Sequence, residues 1–190
     1  MTKTQIRKTS IKNFFRALAG KPKQFPIKVE RDERAKEFPM ISIKKDGDVG
    51  FDLVSVGDVV IPAMTEENRK RYFELLENGA TDEEVEACLP RGVIPTGIKI
   101  EMTNDVWCTI EARSSASSKG LITPDSIIDS GYRGELFSVV FNLGYEEYVI
   151  NKGERVAQVI FHERIEMDIE EVAQVGKSDR GTTGFGSTGV

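Results

Sequence analysis

Near the start of the chain, apolar residues recur at helical spacing. Ile11, Phe14, Phe15 and Leu18 fall three and four residues apart, Thr9 or Ser10 stands where a cap belongs, and Gly20 ends the run. This predicts an amphipathic helix between those signals. The period then shortens. Phe25–Glu30 reads as a first strand, Arg31–Glu37 as a charged connector, and Pro39–Lys44 as a second strand ending in the turn Lys45-Asp46-Gly47-Asp48. Further short β runs follow at Phe51–Val56, Val59–Pro62, Val93–Met102, Val106–Ala112, Ser126–Asp129, Glu135–Leu143, Tyr148–Ile150 and Val156–Ile165. Many short strands parted by turn residues predict an all-β sandwich or barrel.

One segment interrupts the rhythm. Thr65 opens a helical pattern carrying Tyr72, Phe73, Leu75 and Leu76, which stops at Asn78-Gly79. Thr81 and Glu84 form a capping-box signature ahead of Val85 and Leu89, and Pro90 ends that second helix. Residues 64–90 therefore read as a helix-turn-helix insert between two strands, with eight acidic and three basic residues. Two short helices need a packing partner. That partner is the parent domain or another protein.

Chemistry concentrates around Ile127-Ile128-Asp129-Ser130-Gly131-Tyr132-Arg133-Gly134-Glu135-Leu136. Strand residues flank a Ser-Gly turn, so the stretch is expected to be a β-hairpin with a carboxylate and a ring near its tip. Asp129 either caps the turn through its own backbone or aims at a water. The turn Arg113-Ser114-Ser115 joins a guanidinium fork to hydroxyls and backbone N–H groups, a combination suited to phosphate oxygens. Asp52, in Gly-Phe-Asp-Leu, is either a buried Asp on backbone amides or a group beside a metal's water shell. The last residues, Gly176–Val190, hold glycines and hydroxyls around Arg180 and Phe185, as in a flexible tail that folds over a triphosphate. This is not a P-loop, since Gly-Lys-Ser/Thr is missing.

Composition narrows the partners. The net charge of −5 gives no global basic field for nucleic acid, and no apolar run approaches a membrane span of ~18–20 residues. No nucleic-acid or membrane partner is expected. Cys88 and Cys108 have no CxxC spacing and read as reduced thiols, so the expected location is cytoplasmic. With one His and two distant Cys, no protein-built zinc site is expected, and a divalent ion, if present, is expected to be held by oxygens. Residues 1–24 carry seven bases and no acid. They read as a surface helix docked by its Phe face or a frayed arm, as a mitochondrial transit segment, or as an element for acidic partners or lipid headgroups.

Five stretches in order are similar to the motifs of the homotrimeric dUTP pyrophosphatases (dUTPases): Val49–Leu53, Ala112–Gly120, Ile127–Leu136, Gly153–Gln158 and Arg180–Gly189. The resemblance covers Asp48–Val190 apart from the insert. It implies a distorted jelly-roll (β-clip) domain followed by a Gly-rich arm at 176–190; with the strands read ahead of Asp48 the domain is expected at 25–175, after the basic arm at 1–24. It implies hydrolysis of dUTP to dUMP and pyrophosphate with Mg²⁺, which keeps uracil out of DNA and supplies dUMP for thymidylate synthesis. By resemblance Asp129 is the general base. Arg113, Ser114 and Ser115 hold the triphosphate, Gln158 contacts phosphate or the metal's water shell, and Thr123 also belongs to the substrate site. Tyr132 stacks under the deoxyribose and rejects a 2′-hydroxyl. Uracil is read near Ile127 and Ile128, with Phe137 lining the pocket. Phe185 stacks over uracil, while Arg180, Gly186, Ser187 and Thr188 close the tail over the phosphates. Asp52 lies near Mg²⁺ through water, and the trimer shares its sites between chains.

Three positions depart from the family pattern: Ser126 for Gly, Thr183 for Gly, and Thr123 where Asn is common. The related dCTP deaminases are less favoured, because they place a Glu where this chain has Val139. A reading from another class is a nucleotide-dependent interaction protein whose partner binds the 64–90 insert.

Overall fold

A computed structural model describes residues 3–42 and 45–179, with side chains from residue 8 onward. The first helix, α1, spans Lys3–Leu18 and begins earlier than its cap signals suggest. Its apolar stripe is not docked on the domain. Phe14, Phe15 and Leu18 are each more than 60% exposed.

Strands β1 (Lys28–Arg31) and β5 (Ile98–Glu101) pair antiparallel. β3 (Val59–Ile61) pairs with β10 (Tyr148–Ile150). A four-stranded sheet runs in the order β2 (Gly50–Val54), β11 (Arg155–Glu163), β6 (Val106–Ala112), β8 (Ser126–Ile128). A three-stranded sheet runs β4 (Arg91–Pro95), β9 (Phe137–Asn142), β7 (Leu121–Ile122). The inward residues Leu53, Ile61, Ile94, Ile110, Leu136 and Ile150 are fully buried in one core. The β3–β10 pair and the three-stranded sheet also turn apolar residues outward. Val60 lies opposite Val149 and Val93 opposite Val139, and Val60, Val93, Val149 and Ile122 are exposed.

The strand expected at 93–102 is two strands. Gly97 takes φ +64 between them, and a Cβ there would come within 2.5 Å of an Asp32 oxygen, so the chain bends where only glycine fits. Residues 39–42 form no strand, and Pro39 lacks the N–H a ladder requires. The expected hairpin across 127–141 is also not formed. β8 pairs with β6, while β9 pairs with β4 and β7 in another sheet. Leu136 is buried and donates its N–H to Ile98 O, which draws the chain across to the second sheet after the turn.

The insert forms α2 (Glu66–Glu77) and α3 (Asp82–Glu86). Thr65 caps α2, and the capping box between Thr81 and Glu84 is complete. Neither helix buries a residue in the domain. Cys88, just beyond, is buried, and Asn68 donates to Ala63 O at 2.8 Å. The insert is therefore rooted at its base and free along its length.

Candidate active site

Register builds the first half of the site. Asp52 on β2 and Glu111 on β6 both lie opposite Gln158 on β11. Directly paired residues share a sheet face, so all three side chains project to one side. Arg113 follows β6 and begins a single helical turn, α4 (Ser114–Ser117). Its Nε donates to Asp52 Oδ1 at 2.8 Å, and Arg155 Nη1 donates to Asp52 Oδ2 at 3.1 Å. One carboxylate therefore fixes two guanidinium groups. Asp52 is neither buried on backbone amides alone nor free of cations.

Arg113 Nη1 also reaches Ser115 Oγ and Arg155 O, both at 3.4 Å. Gln158 Nε2 donates to Ala112 O at 3.1 Å. A Cβ on Gly50 would stand 2.2 Å from Gln158 Oε1, so the glycine makes room for that side chain. These residues open onto a cavity of about 530 Å³ that Lys45, Gly47 and Asp48 also line. Ser114 and Ser115 are exposed beside it. Lys119, the other cation of the Ser-rich turn, points elsewhere. Its Nζ donates to Tyr148 OH at 2.7 Å, a bond that raises the pKa of Lys119.

The second half is the turn after β8. Tyr132 N donates to Asp129 O at 3.0 Å, and Arg133 donates to the carbonyls of Ser130 and Tyr132. Tyr132 OH donates to Glu135 O at 3.0 Å. A Cβ on Gly134 would meet that hydroxyl oxygen at 2.3 Å, so the ring lies where only glycine permits it. Glu135 Oε1 accepts from the N–H groups of Thr96 and Gly97 at 2.9 and 2.8 Å. Its other oxygen pairs with Arg34. Asp129, Ile127, Tyr132 and Phe137 are exposed along this turn, and Ile128 is half-buried.

The two halves do not meet within the chain. Ile128 lies opposite Cys108, so Asp129 leaves at one end of β6 and Arg113 at the other. Four residues of strand separate Cys108 from Ala112, about 13 Å. Thr123, expected at the substrate, is instead buried, and its hydroxyl has no protein partner. Arg180, Phe185, Gly186, Ser187, Thr188 and Thr183 lie outside the described residues. Reading the sequence missed Arg155 and Glu135 as working side chains. Both stood inside quoted motifs, but only the register and the crossing of the chain between sheets give them partners.

Among the described residues, no group of three His, Cys, Asp or Glu could hold a metal ion.

Residues 79–189 match a protein-family model described as dUTPase. The chain belongs to the dUTPase family. It is 33% identical over 148 residues to the deoxyuridine 5'-triphosphate nucleotidohydrolase of Clostridium novyi, covering 76% of this chain and 87% of that one. It is 34% identical over 146 residues to the enzyme of the same name from Paramecium bursaria Chlorella virus 1, covering 76% and 86%. In fold, this dUTPase is similar to that of Staphylococcus bacteriophage 80alpha, solved with dUPNHPP. The TM-score is 0.67 at 22% identity, over 87% of this chain and 99% of the other.

Proposed function

We propose that this dUTPase hydrolyses dUTP to dUMP and pyrophosphate with Mg²⁺, in a homotrimer whose sites each combine residues of different chains. The carrying observation is the separation of the two half-sites. The arginine cluster at Asp52 and the turn at Asp129 leave opposite ends of β6. A second copy that brings its turn to the cluster completes the set. The exposed Val60, Val93, Val149 and Ile122 supply apolar surface for such an assembly.

In the completed site the Asp129 carboxylate takes a proton from a water. That water's oxygen bonds to the α-phosphorus as the bond to the bridging oxygen breaks, and pyrophosphate leaves. Arg113, with the hydroxyls and N–H groups of Ser114 and Ser115, holds the phosphates. Asp52 does not touch them; it keeps both guanidinium forks in place. Asp52 and Gln158 line the cavity where a phosphate-bound Mg²⁺ would sit, and such an ion would supply charge neutralisation for the departing pyrophosphate. Tyr132 packs against the deoxyribose and excludes a 2′-hydroxyl.

The test measures pyrophosphate release from dUTP, dCTP, dTTP and UTP in parallel. Release from dUTP alone is expected, and equal release from UTP overturns the role of Tyr132. Sharing is tested by co-expressing Asp129→Asn chains with Arg113→Ala chains. Each alone is inactive. If sites draw on two chains, roughly a quarter of the sites in a random mixture recover both residues. No recovery places the whole site in one chain.

A further inference from the structure

Two elements carry unpartnered faces of opposite charge, and neither belongs to the site. In α1, Ile11, Phe14, Phe15 and Leu18 form one exposed apolar stripe. Lys8, Lys12 and Arg16 fall four residues apart and so form a basic row along its edge. In α2, Phe73 and Leu76 are 55% and 50% exposed. Glu66 and Glu77, seven residues before and four after Phe73, lie on the same helix face. Lys70 interrupts that acidic row through its ion pair with Glu66 at 3.2 Å. In charge, residues 1–24 sum to +7, while residues 64–90 sum to 3 − 8 = −5.

Both faces are open in the same chain, so α1 does not sit on its own insert. Its end is tied down elsewhere. Lys23 pairs with Glu163 at the end of β11, Gln24 N donates to Asn13 Oδ1, and Arg16 Nε donates to Pro22 O. The insert is rooted at Ala63 and at Pro90, whose carbonyl accepts from Asn142 N. We propose that α1 of one copy docks on α2 of a second copy of this chain, its Phe stripe on Phe73 and Leu76 and its basic row on Glu66 and Glu77. Each chain then offers one donor and one acceptor surface, a head-to-tail contact that closes into a ring or joins one assembly to the next. Aromatic anchors supply the contact area, and the charges set partner and register.

Two full-length variants with one added cysteine each, Leu18→Cys and Leu76→Cys, are co-expressed with different tags and mildly oxidised. The native thiols do not compete, since Cys88 and Cys108 are buried and burial pushes the Cys108 thiol up to about 12. Dithiol-sensitive heterodimers are expected several-fold above those from a control pair that replaces Leu18→Cys with Met167→Cys. Lys8→Glu/Lys12→Glu/Arg16→Glu on the first chain abolishes the excess, and Glu66→Lys/Glu77→Lys on the second restores it. Hydrolysis of dUTP by every variant checks that the fold is intact. Yields equal to the control, or yields indifferent to charge reversal, overturn the contact. So does a Leu18→Cys/Leu76→Cys chain that closes on itself at any dilution. Capture of the full chain by phosphatidylserine vesicles, with no cross-link, assigns α1 to a membrane surface instead.

Discussion

The two halves of the site are built by different means. The Asp52 side is made within one sheet: three neighbouring strands bring Asp52, Gln158 and Arg113 together, and ion pairs at 2.8 and 3.1 Å fix the arginines before any ligand arrives. The Asp129 side is a loop crossing between sheets, held mainly at its exit by Glu135 and Leu136. Its reactive side chains stand exposed. A rigid half suits charge that must be met in fixed geometry. In the proposed function the walls missing from the exposed half come from a second copy, which would make the assembly part of the chemistry.

The largest expected effect breaks the exposed half chemically while leaving its shape. Asp129→Asn keeps the turn, because that turn uses the Asp129 backbone carbonyl. Turnover of dUTP falls by about 10²–10⁴, the range for a lost general base. Calorimetry with a non-hydrolysable analogue shows binding retained. Loss of binding would move Asp129 from base to ligand contact.

Glu135→Ala strikes the anchor instead. It strips the acceptor from two backbone N–H groups and unpairs Arg34. The expected cost is about 3 kcal/mol in denaturant unfolding, with lower turnover. Glu135→Gln keeps an acceptor oxygen and costs about 1 kcal/mol. Equal losses in both variants would show that the charge, and not the backbone capture, holds the turn.

How much of this was legible beforehand follows the same division. The β runs at 106–112 and 148–150 and the Thr81 capping box are local patterns, and they stand where the sequence places them. The 127–141 hairpin misled, because strand, turn and strand is also the pattern of a chain passing between sheets. Only long-range partners separate the two: Ile128 with Cys108 and Leu136 with Ile98. Arg155 is the same case. Its ion pair spans 103 residues of chain, and no spacing rule reaches that far. Resemblance alone places Thr123 at the substrate, and two residues after the core residue Leu121 its side chain is buried.

A smaller effect sharpens specificity. Tyr132→Ala opens the space beside the sugar, and discrimination against UTP narrows by about 10- to 200-fold, as expected for a steric pocket. Activity on dUTP falls less. Unchanged discrimination would place the sugar away from this ring.

The smallest effect belongs to the insert, which touches neither half. Thr81→Ala removes a cap from an exposed helix and costs about 1 kcal/mol, confined to α3. Amide exchange around residues 82–86 speeds up, while dUTP hydrolysis does not change. The acid limb has a defined sign. The Thr81 backbone N–H, and then its hydroxyl, hold the Glu84 carboxyl below its ordinary value of 4.5. A carboxyl lowered in the folded helix contributes stability that is fully present above that ordinary value and fades as pH falls through the folded one. Protection of α3 should thus decline in acid before the β core does, and Glu84→Gln should remove that pH dependence. If the core and α3 instead lose protection together, the insert is not the independent unit that its exposed helices describe.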